Sequence, residues 1–168
     1  MVIVLMGVAG AGKSTVGKLL ASELAWPFAD GDDYHPPANR EKMRNGIPLG
    51  DFDRAPWLEI LRSLIAGWLA EGKSAVLACS ALKNDYRERL KLGSEVRFVY
   101  LKGDPLLLQA RLRARHGHYM TARMLESQLT ALEEPDCALV VDVSRSPKEI
   151  AAEIRSKLVL TEDSNHTV

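Results

Sequence analysis

The stretch Gly7-Val8-Ala9-Gly10-Ala11-Gly12-Lys13-Ser14-Thr15 decides the fold, because it fits the pattern of a glycine, any four residues and then Gly-Lys-Ser. The apolar run Val2–Met6 precedes it and has the length of a buried strand, and a segment with helical spacing follows it. This order of strand, loop and helix distinguishes a phosphate-binding P-loop from a chance match. We therefore predict that residues 7–15 bind the phosphates of a nucleotide through backbone N–H groups at the start of the first helix.

Two side chains of this loop, and one carboxylate further along the chain, suit a nucleotide with its metal ion. Lys13 is predicted to reach the β- and γ-phosphates of ATP as a catalytic point charge. Ser14 offers a hydroxyl group to Mg²⁺, a hard cation that prefers oxygen ligands. Asp30 ends the second predicted strand and is expected to help hold the water shell of Mg²⁺. ATP and Mg²⁺ are therefore the expected cofactors.

Length and charge limit the classes of protein that fit this sequence. A chain of 168 residues, 46% hydrophobic and with a formal net charge of zero, has the size of one domain and no bulk charge that would attract nucleic acid or a membrane. The first apolar run is too short for a membrane span, and no basic segment precedes it. We therefore expect a cytoplasmic protein. Cys79 and Cys137 adjoin predicted strands and are expected to be free thiols.

The fold class follows from how apolar runs alternate with helical segments. Five short runs rich in branched apolar residues occur at about 2–6, 27–30, 74–79, 96–101 and 138–142. Continuous hydrophobicity is typical of strands covered on both faces, and alternation with helices indicates parallel crossovers. Helices are predicted at about 13–24, 38–44, 54–71, 83–92, 105–115, 121–132 and 147–158. The sequence therefore predicts an α/β protein with a doubly wound, five-stranded parallel sheet flanked by helices.

The predicted helix at 54–71 is the longest in the chain. Pro56 is expected in its first turn, where a missing N–H costs nothing. Its broad apolar stripe could pack on the core or form a subunit interface, and core packing is favoured. The stripe consists of Trp57, Leu58, Leu61, Leu64, Ile65, Trp68 and Leu69.

The acidic turn Asp30-Gly31-Asp32-Asp33 follows the second predicted strand. In a parallel α/β sheet, ligands bind beyond the carboxyl ends of the strands, so residues 7–14, 30–33, 80–83 and 103–104 are expected to face one another. Asp32 is predicted to be catalytic and to contact the substrate, either orienting the attacking hydroxyl or taking its proton. A solvated turn would also favour these residue types, above all at Asp33.

The polar segment that follows this turn is expected to form the acceptor pocket, as a substrate-binding insertion at about 34–53. His35 and Arg54 are the predicted substrate-binding residues of this region, whereas Arg40 fits a solvated helix face as well. Lys83 follows the third strand and is either a substrate contact or an exposed first-turn lysine. No carboxylate stands there to position water, which disfavours an ATPase.

A lid is predicted at about 112–122, where Arg111, Arg113 and Arg115 precede His-Gly-His-Tyr-Met. Phosphoryl transfer needs positive charge close to the transferred group, and a closing lid supplies it while excluding water. Arg115 is the predicted catalytic residue, and Arg111 is predicted to bind the nucleotide. Solvated helix charges are the alternative.

His116 and His118 complete no metal set, so no zinc site is predicted. Residues 161–168 are expected to be a frayed tail.

The chain resembles the gluconate kinase family over nearly its whole length. The resemblance rests on the P-loop and on the more specific runs Asp30-Gly31-Asp32-Asp33-Tyr34-His35-Pro36, Cys79-Ser80-Ala81-Leu82-Lys83 and Arg115-His116-Gly117-His118. It implies a P-loop kinase fold with a small lid, akin to nucleoside monophosphate and shikimate kinases. It also implies ATP-dependent phosphorylation of the 6-hydroxyl of D-gluconate and, because members are commonly dimers, a homodimer.

Two other functions remain open from the sequence. One is a different small-molecule kinase of the shikimate kinase type, which has a similar Asp-x-Asp after its second strand. The other is a nucleotide-binding switch without phosphotransfer. Asp30 and Asp32 argue against the switch, because it needs no carboxylate to position an acceptor hydroxyl.

Overall fold

Five parallel strands form one sheet at the centre of the molecule. The computed structural model describes residues 1–114 and 122–158. The sheet order is β2-β3-β1-β4-β5, so the first strand is central and carries the loop that follows it to the middle of one edge. The strands are β1 (Val2–Met6), β2 (Phe28–Asp30), β3 (Ala75–Ala78), β4 (Val96–Lys102) and β5 (Leu139–Asp142).

Helices cover both faces of this sheet. A 3₁₀ turn, Gly31–Tyr34, follows β2 directly. The helices are α1 (Lys13–Leu24), α2 (Pro37–Arg44), α3 (Asp51–Ala70), α4 (Asn84–Leu90), α5 (Pro105–Ala114), α6 (Ala122–Ala131) and α7 (Pro147–Leu158). The predicted α/β fold with a five-stranded parallel sheet is thus confirmed. None of the helices in the described part of the chain is long and apolar enough to cross a membrane.

The central strand is buried on both faces, which explains its unbroken apolar sequence. All five residues of β1 are inaccessible to solvent. Ile3 and Leu5 pack in the core under α1 and α7, whereas Val2, Val4 and Met6 pack in the core under α3 and α4. Burying a large aliphatic side chain contributes about 1.5–3 kcal/mol, so both cores stabilise the strand that leads into the P-loop.

The long helix α3 begins earlier than the sequence predicted. It starts at Asp51 rather than at Arg54, because the Asp53 carboxylate accepts a hydrogen bond of 2.9 Å from the N–H of Gly50 and caps the first turn. Pro56 therefore lies in the second turn, and its placement in the first turn was wrong. Proline has no N–H, so Pro56 cannot donate to the carbonyl of Phe52, four residues earlier. Phe52 is at the surface, with 97% exposure.

The apolar stripe of α3 packs on the core of its own chain. Trp57, Leu58, Leu61 and Ile65 are buried there, and Leu64, Trp68 and Leu69 pack partly against the same cluster. Core packing is therefore what the structure shows for this stripe.

Smaller elements also differ slightly from the predicted boundaries. Helix α4 is shorter than the predicted segment 83–92, because Lys83 is still extended at its N-cap and Lys91 has left the helix. Within the described residues, Cys79 is a buried free thiol and Cys137 an exposed one. Residues 115–121 of the predicted lid and the predicted tail at 161–168 lie outside the described residues.

The carboxyl ends of the strands meet at one edge, as the parallel sheet requires. The N–H of Gly7 donates to the carbonyl of Ser80 (3.2 Å), which joins the P-loop to the turn after β3. Gly31, in the turn after β2, lies so close to β3 that a Cβ there would be 2.8 Å from the carbonyl oxygen of Ala78. The acidic turn, the P-loop and the β3 turn are therefore neighbours.

Candidate active site

The P-loop has a conformation that glycine makes possible. Gly7, Gly10 and Gly12 have φ values of 143°, 82° and 89°, a region that other residues rarely adopt. A Cβ at Gly7 would lie 2.8 Å from the carbonyl oxygen of Leu101, and one at Gly10 would lie 3.0 Å from that of Leu108. The loop thus forms a tight cradle of backbone N–H groups at the start of α1, which fits a phosphate group.

Lys13 and Ser14 begin the helix that follows this cradle. The Lys13 ammonium group donates to the carbonyl of Val8 (3.0 Å), so it lies over the loop. The Ser14 hydroxyl donates to Oδ2 of Asp30, which joins α1 to the end of β2. One hydroxyl and one carboxylate fit Mg²⁺, which keeps several of its waters and takes few protein ligands. No cluster of three or more His, Cys, Asp or Glu side chains suited to a metal occurs in residues 1–114 and 122–158.

Asp30 also shapes the acidic turn beside it. Its Oδ1 accepts a hydrogen bond of 3.1 Å from the N–H of Asp32, so the 3₁₀ turn begins in a fixed position. The Asp32 side chain is 66% exposed and opens into a pocket. Its pKa is raised, first because surrounding protein displaces water from the carboxylate; Lys13 opposes the rise, and Asp30 and Asp33 add to it. Access to pocket water moderates the shift.

This pocket joins the P-loop to the acidic turn, and we call it the acceptor pocket. Its walls come from the P-loop, the 3₁₀ turn, the α2–α3 connection, α3, the β3 turn and α6. Its lining residues are Ala9, Lys13, Asp32, His35, Met43, Ile47, Pro48, Leu49, Arg54, Trp57, Ser80, Met124, Ser127 and Gln128. The structure thus brings Lys13, Asp32, His35 and Arg54 together, as the sequence predicted.

His35 is a buried wall of the acceptor pocket. Only 5% of it is exposed, and its ring stacks on Trp57 with centroids 4.3 Å apart and planes 13° apart. Burial, Arg54 and Arg40 lower the pKa of His35 to about 4, so the ring is neutral at physiological pH. The indole N–H of Trp57 donates to the carbonyl of Gly31 (2.7 Å), which ties this wall to the acidic turn.

Arg54 and Lys83 belong to one polar network at the mouth of the pocket. Arg54 donates to the Tyr86 hydroxyl (3.3 Å), and the same hydroxyl donates to Asp51. Lys83 pairs with Asp51 through contacts of 2.8 and 3.1 Å, and this pairing is the main reason why the pKa of Asp51 is lowered. Lys83 lines an adjoining pocket with Arg54 and Gln128 and does not line the acceptor pocket itself.

The remaining predicted arginines occupy different positions. Arg111 donates to the carbonyl of Val143 (2.6 Å), so it connects α5 to the turn after β5. Helix α5 also touches the P-loop, because its residues Leu108 and Leu112 lie against Gly10. Arg115 lies outside the described residues. Arg40 donates to the carbonyls of His35 and Asp33 and braces the acidic turn.

Several residues that shape the site carry no recognisable signal in the sequence. Gln128 on α6 accepts a hydrogen bond from the P-loop, but α6 is 119 residues away along the chain. Arg87 is 5% exposed and donates two bonds of 3.0 Å to the carbonyls of Ala81 and Leu82. It thereby holds the β3 turn, in which Ala81 has a φ of 42°. Asn39 on α2 is buried against the start of α3, although its neighbours in the sequence are polar.

A P-loop that faces an acidic turn across one pocket defines a P-loop kinase of small molecules. Residues 9–159 match the family model described as Shikimate kinase. The chain is 42% identical over 178 residues to a probable gluconokinase of Mus musculus, covering 94% of this chain and 97% of that protein. Identity to the thermoresistant gluconokinase of Escherichia coli K12 is 42% over 156 residues, covering 90% and 89%.

A solved structure extends these similarities to three dimensions. The crystal structure of a gluconokinase from Sinorhizobium meliloti 1021 superposes with a TM-score of 0.86 at 38% identity, covering 98% of this chain and 97% of that one. The chain belongs to the gluconokinase family. The family that the sequence pattern resembled is thus confirmed.

Proposed function

We propose that this protein is a gluconokinase, which transfers the γ-phosphoryl group of ATP to the 6-hydroxyl of D-gluconate and releases ADP and 6-phospho-D-gluconate. The observation that carries this proposal is the acceptor pocket, where Lys13 of the P-loop and Asp32 of the acidic turn face the same space. Phosphoryl transfer depends chiefly on positioning and charge stabilisation, and this arrangement offers both. The gluconokinase relatives at 42% identity support the choice of acceptor.

The nucleotide is assigned to the P-loop, with residues 7–15 around its phosphates and Arg111 beside it. Lys13 would stabilise the negative charge that spreads over the transferred group in the transition state. Ser14 and Asp30 would hold Mg²⁺, which neutralises phosphate charge when it is bound. Arg115 is proposed to add positive charge when the lid, at about 112–122, closes over the pocket.

Asp32 is assigned to the acceptor hydroxyl. The hydroxyl oxygen forms a bond to the γ-phosphorus while the bond from that phosphorus to the β–γ bridging oxygen breaks, and ADP leaves. The hydroxyl proton hydrogen-bonds to the Asp32 carboxylate, which orients the oxygen and accepts the proton as the new bond forms. The raised pKa of Asp32 favours this step, because a more basic carboxylate accepts a proton more readily.

The other end of the acceptor pocket suits an anionic polyol. Arg54 is half-buried, lines the pocket and is held by Tyr86, so its guanidinium is oriented for a carboxylate. His35 is neutral and offers a ring nitrogen to a hydroxyl group. Lys83 would contribute from the adjoining pocket, where it now pairs with Asp51.

The decisive experiment measures ADP release with ATP and a panel of acceptors. The panel holds D-gluconate, related sugar acids and shikimate, with a reaction that lacks any acceptor as the blank. We expect release to depend on D-gluconate and the product to carry phosphate on the 6-hydroxyl. Equal release with and without D-gluconate would remove the assignment, and release with shikimate alone would favour the shikimate kinase reaction. Lys13→Ala protein from the same purification controls for contaminating kinases.

We also propose a single P-loop kinase domain that works as a homodimer in the cytoplasm. The proposal of a dimer rests on the family resemblance alone. The apolar stripe of α3 gives it no support, because that stripe packs on the core of the same chain. Light scattering coupled to size-exclusion chromatography measures the mass in solution, and a mass near 18.5 kDa would contradict the dimer.

A further inference from the structure

Asn39 is a buried amide whose orientation is fixed by a backbone carbonyl. Only 4% of this residue is exposed, and its carboxamide lies 2.6 Å from the carbonyl oxygen of Asp53 at the start of α3. A carbonyl oxygen can only accept, so the end of the carboxamide that faces Asp53 must be the nitrogen, Nδ2. The opposite orientation would place two acceptors in contact in a buried place, which costs free energy.

The same nitrogen faces the imidazole of His35. Nδ2 of Asn39 is 3.4 Å from Nδ1 of His35, a long contact that adds little binding strength of its own. Because Nδ2 is a donor, Nδ1 must carry the lone pair, and the single proton of the neutral ring then resides on Nε2. Stacking on Trp57 already fixes the plane of the ring. Asn39 therefore selects the tautomer, while Trp57 selects the orientation.

The charged groups around His35 keep it in the neutral form that this selection requires. Arg54 faces it from α3 and Arg40 from α2, and both oppose a positive charge on the ring. Asp32 faces it from the acidic turn, with Oδ1 at 3.8 Å from Nε2. That distance is too long for a direct hydrogen bond.

A donor and an acceptor therefore stand side by side in the acceptor pocket. Nε2–H of His35 can donate and the Asp32 carboxylate can accept, and both residues line the pocket. A hydroxyl group both accepts and donates, so one hydroxyl can satisfy the two residues together. A ring with its proton on Nδ1 would instead present a second acceptor beside the carboxylate and would disfavour that hydroxyl.

We propose that Asn39 is a positioning residue that fixes His35 as the Nε2–H tautomer, so that His35 and Asp32 together hold a hydroxyl group of the acceptor. The kinetic part of this inference rests on the proposed function, because it needs the acceptor that the enzyme uses. The tautomer part does not, because it concerns the protein alone.

The test that needs no substrate is nuclear magnetic resonance of the protein labelled with ¹⁵N in its histidine rings. Long-range correlations between ring nitrogens and ring protons identify which nitrogen carries the proton, and the spectrum of a His35→Gln variant assigns the signal. We expect the Nε2–H tautomer between pH 6 and pH 8 in the unsubstituted protein. Finding the proton on Nδ1 there would overturn the proposal, whether or not D-gluconate is the acceptor.

The matching kinetic test uses Asn39→Asp. A carboxylate only accepts, so it draws the ring proton to Nδ1. The KM for the acceptor should then rise about fivefold, as expected for the loss of one hydrogen bond of typical strength. The KM for ATP should change by less than about twofold, since the P-loop is untouched. Gln109→Glu on α5 makes the same change from amide to carboxylate outside the acceptor pocket; it is the matched control and should leave both constants unaltered.

Two results separate the proposal from a merely structural role for Asn39. A structural role would lower the melting temperature and the active fraction without moving the ring proton or the ratio of the two KM values. If Asn39→Asp folds and His35 remains the Nε2–H tautomer, the positioning role is wrong. If Asn39→Asp does not fold, the ring spectrum of the unsubstituted protein still decides the tautomer.

Discussion

The N–H of Ala9 in the P-loop donates a hydrogen bond of 2.8 Å to Oε1 of Gln128 on α6. Gln128 also lines the acceptor pocket, together with Met124 and Ser127 of the same helix. One side chain therefore connects the loop that is assigned to the phosphates with a wall of the pocket that is assigned to the acceptor. This contact provides a physical link between the two substrates of the proposed reaction.

Replacing Gln128 by methionine should weaken binding of both the acceptor and ATP, because the lost bond joins the P-loop to a wall of the acceptor pocket. Methionine keeps the length and the helix propensity of the side chain but cannot accept the bond from Ala9. A typical hydrogen bond contributes about 1 kcal/mol, so we expect the KM for the acceptor to rise about fivefold. Steady-state kinetics with each substrate varied in turn measures both constants.

The matched control for this variant is Gln109→Met on the neighbouring helix α5. Gln109 lies in a groove between α5 and α6 and lines neither the acceptor pocket nor the pocket beside it. Its variant should have normal kinetics. A Gln128→Met enzyme in which neither KM changes would contradict the proposed link.

Lys13→Ala should remove nearly all phosphoryl transfer while the fold persists. The ammonium group lies over the P-loop, 3.0 Å from the carbonyl of Val8, and nothing else in the cradle offers a full positive charge at that point. Loss of one such stabilising group commonly lowers kcat by about 10²–10³-fold. Lys18→Ala, the same change on the exposed face of α1, serves as the control. Near-normal turnover of Lys13→Ala would defeat the P-loop assignment.

Those parts of the molecule that depend on local sequence could be predicted. The P-loop has a fixed spacing, and the five strands are short apolar runs because helices cover both faces of the sheet. The rule that ligands bind beyond the carboxyl ends of parallel strands placed Lys13 and Asp32 at one edge. His35 and Arg54, which were predicted from the polar segment after the acidic turn, line the same pocket.

Contacts between distant segments could not be predicted in the same way. Gln128 meets Ala9 only because the fold brings α6 next to the P-loop, and no pattern near residue 128 encodes that contact. Lys83 pairs with Asp51 because α3 begins three residues earlier than expected, which brings Asp51 onto the helix. The start of α3 was mispredicted because the Asp53 side chain caps the helix by accepting a hydrogen bond from the backbone N–H of Gly50. Gly50 has no side chain, so its residue type does not indicate a helix start.

Asp32→Asn should lower kcat and remove the acidic limb of the pH profile. The Asp32 carboxylate must be ionised to accept the proton of the acceptor hydroxyl. Its pKa is raised by displaced water and by Asp30 and Asp33, so protonation should reduce kcat/KM at a higher pH than for an ordinary aspartate. The KM for ATP should change little. A variant impaired chiefly in its affinity for ATP would instead assign Asp32 to the nucleotide.

Stability should fall as the pH drops below the ordinary pKa of histidine, and His35 should cause a measurable part of that fall. The pKa of His35 is about 4 in the folded protein and about 6.5 for an ordinary histidine. As the pH falls below about 6.5, the unfolded chain therefore binds more protons at this residue than the folded protein does. Linkage then predicts a loss of about 2 kcal/mol between pH 7 and pH 5 from this residue alone. The loss should be complete once the pH is below about 4.

A His35→Phe variant isolates this contribution, because phenylalanine still stacks on Trp57 but does not titrate. Urea unfolding at pH 7 and pH 5 should show a smaller loss of stability in the variant than in the unsubstituted protein, by about 2 kcal/mol. The two proteins must be compared because Asp32 changes the stability in the opposite direction. Its pKa is raised in the folded protein, so the folded protein binds a proton there more readily and becomes more stable as the pH falls. Both proteins contain Asp32, so its effect cancels in the comparison. Equal losses in both proteins would mean that His35 is not held neutral by its burial and by the two arginines beside it.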